Sequence, residues 1–154
     1  MENNIGSLEW VSGHTYDTIY DLVFTTERII AVIIQHPNDN IFKFGVAGML
    51  LGGKLAGGND RPRKMKIAED RRREYKEKTF DELVGSHRFN FEIPYRTVTS
   101  VELSRGLFKS RLKFRISRPS IPKHKIQFTL AKNQLPKARE LLEQVLPSKL
   151  KGKE

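Results

Sequence analysis

Between Phe89 and Leu130, apolar residues recur at every second position in four short runs. Phe89, Phe91 and Ile93 alternate with Asn90 and Glu92, and Thr99, Val101 and Leu103 with Ser100 and Glu102. Leu112, Phe114 and Ile116 alternate with Arg111, Lys113 and Arg115, and Ile126, Phe128 and Leu130 with Lys125, Gln127 and Thr129. Successive side chains of a strand point to opposite faces, so this pattern predicts half-buried strands with one dry and one wet face. Gly106 and the stretch from Pro119 to Pro122 supply the breaks between runs. The period then changes. Leu135, Ala138, Leu141, Leu142 and Val145 fall at helical spacing, which predicts an amphipathic helix over about 134–146, with Asn133 as its cap and Pro147 just past its end. The tail 148–154 is polar and basic, and is expected to fray.

The first half reads less cleanly. Leu8 to Val11 is a short candidate strand. Asp21–Thr25 and Arg28–Gln35 read as a hairpin turning at Thr26-Glu27, because Ile29, Ile30, Val32, Ile33 and Ile34 are strongly β-prone. His36 to Asn40 is a turn cluster, and Ile41 to Phe44 is a short candidate strand. A glycine-rich stretch follows, with glycine at 45, 48, 52, 53, 57 and 58. Pro62 then begins a helix, with Asn59 or Asp60 to cap it. Met65, Ala68, Arg72, Tyr75 and Thr79 form only a thin stripe, which predicts a partly detached, solvated helix over about 62–84 that stops near Gly85. A chain of 154 residues is long enough for one core. The expected arrangement is one domain over 1–147, interrupted by an insertion at about 45–84, with a flexible basic tail.

A string of antiparallel strands closed by one amphipathic C-terminal helix resembles the pleckstrin-homology-like superfold. The local text is similar to its prokaryotic and GRAM-type members. "DLVFTTERIIAV" (21–32) is similar to their hydrophobic–Thr–x–x–Arg–hydrophobic hairpin. "FEIPYRTVTSVEL" (91–103) is similar to their Ile-Pro-led strand pair, and "LKFRI" (112–116), "IQFTL" (126–130) and the last helix complete the pattern. The resemblance covers about two thirds of the chain, and segment 45–84 departs from it. It implies a mainly β fold: an antiparallel barrel or sandwich capped by the C-terminal helix, with the glycine-rich loop and charged helix inserted. It also implies a lipid- or peptide-docking module, although a fold does not by itself give a function.

Charge narrows the partners. The chain carries 28 Lys and Arg against 18 Asp and Glu, a net charge of +10. The excess is local: residues 61–78 hold nine basic and four acidic groups, and residues 105–125 hold eight basic groups and no acidic one. Such a field favours an anionic partner, whether nucleic acid, an acidic lipid surface or an acidic protein, and does not choose among them; the resemblance puts the lipid surface or acidic protein first. The chain has no cysteine, which excludes disulfides, thiolate zinc sites and cysteine nucleophiles. Met1 to Ser7 lacks the basic and apolar regions of a leader, and 45–58 is too short and glycine-rich to span a bilayer. A cytoplasmic protein, peripheral at the membrane, is the expectation.

Residue by residue, the strand Arg111, Lys113 and Arg115 puts three cations on one wet face, and Lys125 joins them if the next strand pairs with it. Their R-x-K-x-R spacing is similar to phosphoinositide sites of the resembled family, where the cluster lies on the first hairpin instead. Such charges also keep a domain soluble and protect edge strands from aggregation, which is the competing explanation. Arg71, Arg72 and Arg73 of the charged helix are the second candidate cluster. Met49, Leu50, Leu51 and Leu55 are candidate membrane contacts beside it, since an apolar tip with a basic flank holds anionic interfaces. Gly48 to Lys54 matches G-x-x-x-x-G-K, but Leu55 stands where a nucleotide-binding loop needs Ser or Thr. Tyr95 and Phe108 are the aromatics placed to stack on bases. His14, His36, His87 and His124 lie apart, without metal-ligand spacing. No cofactor and no enzymatic role are expected.

Overall fold

The computed structural model describes residues 1–13, 18–36, 61–119 and 121–153. It is a mixed α/β fold dominated by strands. The strands are β1 (Asn4–Ser12), β2 (Ile19–Thr25), β3 (Arg28–Gln35), β4 (Phe91–Pro94), β5 (Val98–Arg105), β6 (Lys109–Arg118), β7 (Ile121–Ala131) and β8 (Leu150–Lys153). They form one eight-stranded sheet in the order β4-β3-β2-β1-β7-β6-β5-β8, antiparallel except where β8 runs parallel to β5. The sheet does not close, so β4 and β8 remain its edges.

The two halves of the sheet fold over one another. Only Ser12 and Thr129 pair between β1 and β7, a narrow joint about which the sheet can bend. Phe91 of β4 and Phe128 of β7 are four places apart in the sheet, yet their rings stack with centroids 6.2 Å apart. Of the dry faces that alternation predicts, Val101, Leu103, Leu112, Phe114, Ile116, Ile126, Phe128 and Leu130 lie in this one core. Thr99 does not: the β5–β6 register shifts between Val98 and Ser100, which leaves Thr99 exposed and buries its two neighbours.

The inserted helix corrects an expectation. Instead of one detached helix there are two, α1 (Arg61–Lys76) and α2 (Phe80–Gly85), and they pack on the outer face of β3. Thr79 caps α2 with Glu82 in a capping box, which starts the second helix in a new direction. Ile30, Val32 and Leu83 form a second small core, with Tyr75 and Phe80 against it, and the Tyr75 hydroxyl donates to the Ile33 carbonyl at 2.6 Å. The buried face of α1 is Ile67 and Ala68, while Met65 is exposed. Asn90 ties the parts together: its Oδ1 accepts from Ile33 N–H at 2.7 Å and its Nδ2 donates to the Leu83 carbonyl at 2.8 Å.

The last helix, α3 (Leu135–Val145), follows a 3-10 turn at Lys132–Gln134 and buries Ala138, Leu141 and Leu142. Asn133 is not its cap. Gln134 holds that position, and its side chain instead accepts from Ala131 N–H and donates to the Glu9 carbonyl. A Cβ on Gly6 would sit 2.8 Å from Leu141 Cδ2, so glycine there lets α3 lie close on β1. The tail is also corrected. Rather than fraying, Leu150–Lys153 pairs with the outer edge of β5, and Leu150 packs against the core. Hydrogen bonding to an otherwise open edge satisfies both backbones. Ile41 to Phe44 and the glycine-rich stretch lie outside the described residues.

The turn at Thr26-Glu27 is held by side chains. Thr25 Oγ1 accepts from the N–H groups of Glu27 and Arg28, at 3.2 and 3.0 Å, and donates to Glu2 at 2.6 Å. Arg28 then binds Glu2, Glu92 and Asp81 at 2.9, 2.5 and 2.8 Å, joining the N-terminus, β4 and α2. The Thr-x-x-Arg motif is thus a structural clasp.

Candidate functional site

The strongest concentration of cations lies on the outer face of β7, β6, β5 and β8. Because residues 112, 114 and 116 fill the core, Arg111, Lys113 and Arg115 must face outward, and Arg111 and Arg115 are exposed. Arg115 stands directly opposite Lys125 across the β6–β7 ladder. Lys113 lies opposite Glu102 of β5, with Nζ 3.7 Å from the carboxylate, and exposed Lys151 of β8 lies opposite Glu102 on its other side. One carboxylate therefore serves the middle of the face, a local relief that the run 105–125 did not show. Arg115 and Lys125 face each other as like charges, an arrangement that costs roughly a few tenths of a kcal/mol or more.

One sequence alternative for these charges was protection of an edge strand. For Arg111, Lys113 and Arg115 that reason does not apply, because β6 is paired with β5 on one side and β7 on the other. Lys125 differs: β7 meets β1 only at Ser12–Thr129, so among the described residues its stretch of β7 has no β1 partner.

The second candidate cluster separates. Arg72 points into the sheet, where its Nε and Nη2 bind Asp21 at 2.6 and 2.9 Å, and its guanidinium lies 4.9 Å over the Trp10 ring. Hydrogen bonds to Asp21 push its pKa further above the ordinary arginine value. Trp10 itself takes φ 57 in a bulge of β1, where its N–H donates to Asp21 at 3.1 Å. Arg72 is thus committed to docking α1. Arg73 is exposed and pairs with Asp70 at 3.7 Å, and Arg71 is half-buried. Replacing Arg72 with Met is expected to cost about 2 kcal/mol, less than a fully buried pair because the arginine side chain keeps 20% of its exposure. Trp10 is the only tryptophan, so its emission reports the change during denaturant unfolding. A loss below about 0.5 kcal/mol would mean that apolar contacts alone hold α1.

The helices cover β3, whose inner face meets the core opposite β7. The arginine helix and the basic strands therefore lie on opposite outsides of the folded sheet and make two surfaces. Met49, Leu50, Leu51 and Leu55, with the G-x-x-x-x-G-K stretch, lie outside the described residues. Of the two aromatics placed for stacking, Tyr95 donates its hydroxyl to the Thr25 carbonyl at 2.7 Å, and burial raises its pKa. Phe108 is exposed at a hairpin tip.

Two clefts remain. One, of about 310 Å³, runs between the α1–α2 pair and the outside of β1 and β2, and includes Glu9, Asp21, Val23, Arg72, Tyr75 and Phe80. Of its polar groups, Arg72 and Asp21 bind each other and the Tyr75 hydroxyl is spent on the Ile33 carbonyl. The other, of about 410 Å³, is the open gap between β4 and the β6–β7 end, where Arg118 donates to the Glu92 carbonyl at 3.1 Å. His36 and His87, distant in sequence, both meet the Phe89 ring, with centroids 4.4 and 5.6 Å away. Among the described residues no group of three or more His, Cys, Asp or Glu side chains is placed to hold a metal, and no helix is long and apolar enough to cross a membrane. Comparison with protein-family models, curated proteins and solved structures finds no match.

Proposed function

We propose that this chain is a non-catalytic docking module of pleckstrin-homology-like type that binds an anionic partner, a membrane surface or an acidic protein segment, through the outer face of β7, β6, β5 and β8. The observation that carries the proposal is the exposed Arg115–Lys125 pair, with Arg115 on a strand paired on both sides. Folding does not call for two cations face to face and edge protection does not call for Arg115, whereas an anion between them removes their repulsion. The strand meander, the C-terminal helix and the Thr25–Arg28 clasp support the family reading, and a peripheral position on the cytoplasmic side of a membrane accords with it.

The test is the double variant Arg115→Gln/Lys125→Gln. Each cation near an anionic surface contributes about 1 kcal/mol, so the pair should weaken binding to phosphatidylserine vesicles or to poly-glutamate about thirty-fold. Unchanged binding to both would remove this face as the site. Nucleic acid is the second reading, because exposed Phe108 adjoins Lys109 and Arg111 at the end of the same strand. Tighter binding to a mixed-sequence RNA oligomer, with a steep salt slope, would favour it.

A further inference from the structure

The tip of the β5–β6 hairpin is unusual in what it exposes. Gly106 N–H donates to the Lys109 carbonyl at 3.0 Å, and a Cβ on Gly106 would lie 2.3 Å from that oxygen, so the chain reverses tightly through Leu107 and Phe108. Neither turn position takes a positive φ, so both accept the polar residues that turns commonly use. Here they carry a leucine 79% exposed and a phenylalanine 82% exposed. Turn chemistry does not ask for them, and water disfavours them.

The charged residues described beside the tip are cationic. Exposed Arg105, Lys109 and Arg111 flank it on the hairpin, and exposed Lys132 follows Ala131, the register partner of Lys109. No carboxylate occurs anywhere from Leu103 to Arg139. An apolar point inside a cationic collar matches the layering of an anionic bilayer, with negative headgroups outside and hydrocarbon beneath. A second copy of the chain is a poor fit, because it would bring the same cations together around only two apolar side chains. Base stacking would use Phe108 but has no role for Leu107.

We infer that the β5–β6 hairpin is a membrane-docking wedge: Leu107 and Phe108 enter the interface of an anionic bilayer while Arg105, Lys109 and Arg111 engage its headgroups. This rests on the docking reading of the adjoining face and names its partner as a lipid surface. Arg115 lies seven residues up the strand, roughly 23 Å from Phe108 at about 3.3 Å per residue. That exceeds the screening length of about 8 Å, so Arg115 and Lys125 contribute when the sheet face inclines onto the membrane.

The test uses the full chain and vesicles of phosphatidylcholine alone or with about one third phosphatidylserine, at physiological ionic strength. The wild type should bind the anionic vesicles selectively. Leu107→Ser/Phe108→Ser should bind them about ten-fold more weakly or worse, with an unchanged thermal unfolding midpoint because both side chains are already exposed. In Phe108→Trp, vesicles should add a blue-shifted emission component absent from the wild type. If the double serine variant binds as the wild type does while Arg115→Gln/Lys125→Gln is weakened, the wedge is wrong and the basic face stands. If the wild type ignores anionic vesicles but binds poly-glutamate through the same cations, or prefers an RNA oligomer, the lipid assignment is wrong. If it binds none of these, the docking reading falls with it.

Discussion

Replacing Arg28 with Met should destabilise the fold by about 3–5 kcal/mol at neutral pH, and the deficit should shrink in acid. Met keeps much of the side-chain volume and removes the charge. Arg28 and Glu2 both retain only 14% side-chain exposure, so the substitution strands a largely buried carboxylate, with Glu92 beside it. Asp81 is almost fully exposed and contributes little. Burial alone would raise the Glu2 pKa, but hydrogen bonds from Arg28 and Thr25 hold it below 4.5. A depressed carboxylate stabilises the fold fully above its unfolded value and loses that contribution as pH falls through the folded one. In the wild type, this part of the stability is therefore lost in acid, below about pH 4.5. In the variant, burial remains without the guanidinium, so Glu2 titrates higher and its protonation relieves the fold. Urea unfolding of both proteins at neutral pH and near pH 4 measures the gap. A gap that is under about 1 kcal/mol, or independent of pH, would show that the clasp does not hold the N-terminus and β4.

Phe128→Ala should lose a similar amount, about 3–5 kcal/mol, for a different reason. Phe128 is fully buried and meets Tyr20 of β2, Phe91 of β4 and Phe114 of β6, with ring centroids 6.2, 6.2 and 6.3 Å away. It stands where the two halves of the sheet face each other. Those halves are joined in register by a single β1–β7 pair, so interdigitated side chains carry much of their association. A cavity there removes contacts from three strands at once, and the hydrogen-bonded ladders limit how far the site can collapse. Phe128→Leu retains most of the volume and should cost about 1–2 kcal/mol. Denaturant midpoints at constant slope give both values. If alanine costs no more than leucine, the halves relax around the gap and the rigid-core account fails.

Much of the fold was legible because alternation is a local signal. The residues assigned to the dry faces of β6 and β7, with Val101 and Leu103 of β5, are in the core, and the outward parity of Arg111, Lys113, Arg115 and Lys125 followed from the same count; Thr99 broke it, at a register shift that alternation does not signal. One local signal went unused. Residues 29–34 are apolar without interruption, and such a run marks a strand covered on both faces. It called for a cover over Ile30 and Val32, which α1 and α2 supply. The thin stripe on α1 misled because its docking is partly polar: Arg72 meets Asp21, 51 residues away, and a hydrophobicity pattern does not register a guanidinium as a buried contact.

The sequence by itself determined that the chain makes alternating strands and a final amphipathic helix, and that its charge gathers late in the chain. Only the tertiary structure decided what that charge means. Strand order made β6 interior, gave Lys113 its Glu102, left Arg115 facing Lys125, and set Leu107 and Phe108 bare at the tip of the hairpin. The physical reason is range. Alternation is fixed within a few residues of backbone, whereas neighbours across a sheet and exposure at a turn depend on which distant segments pair.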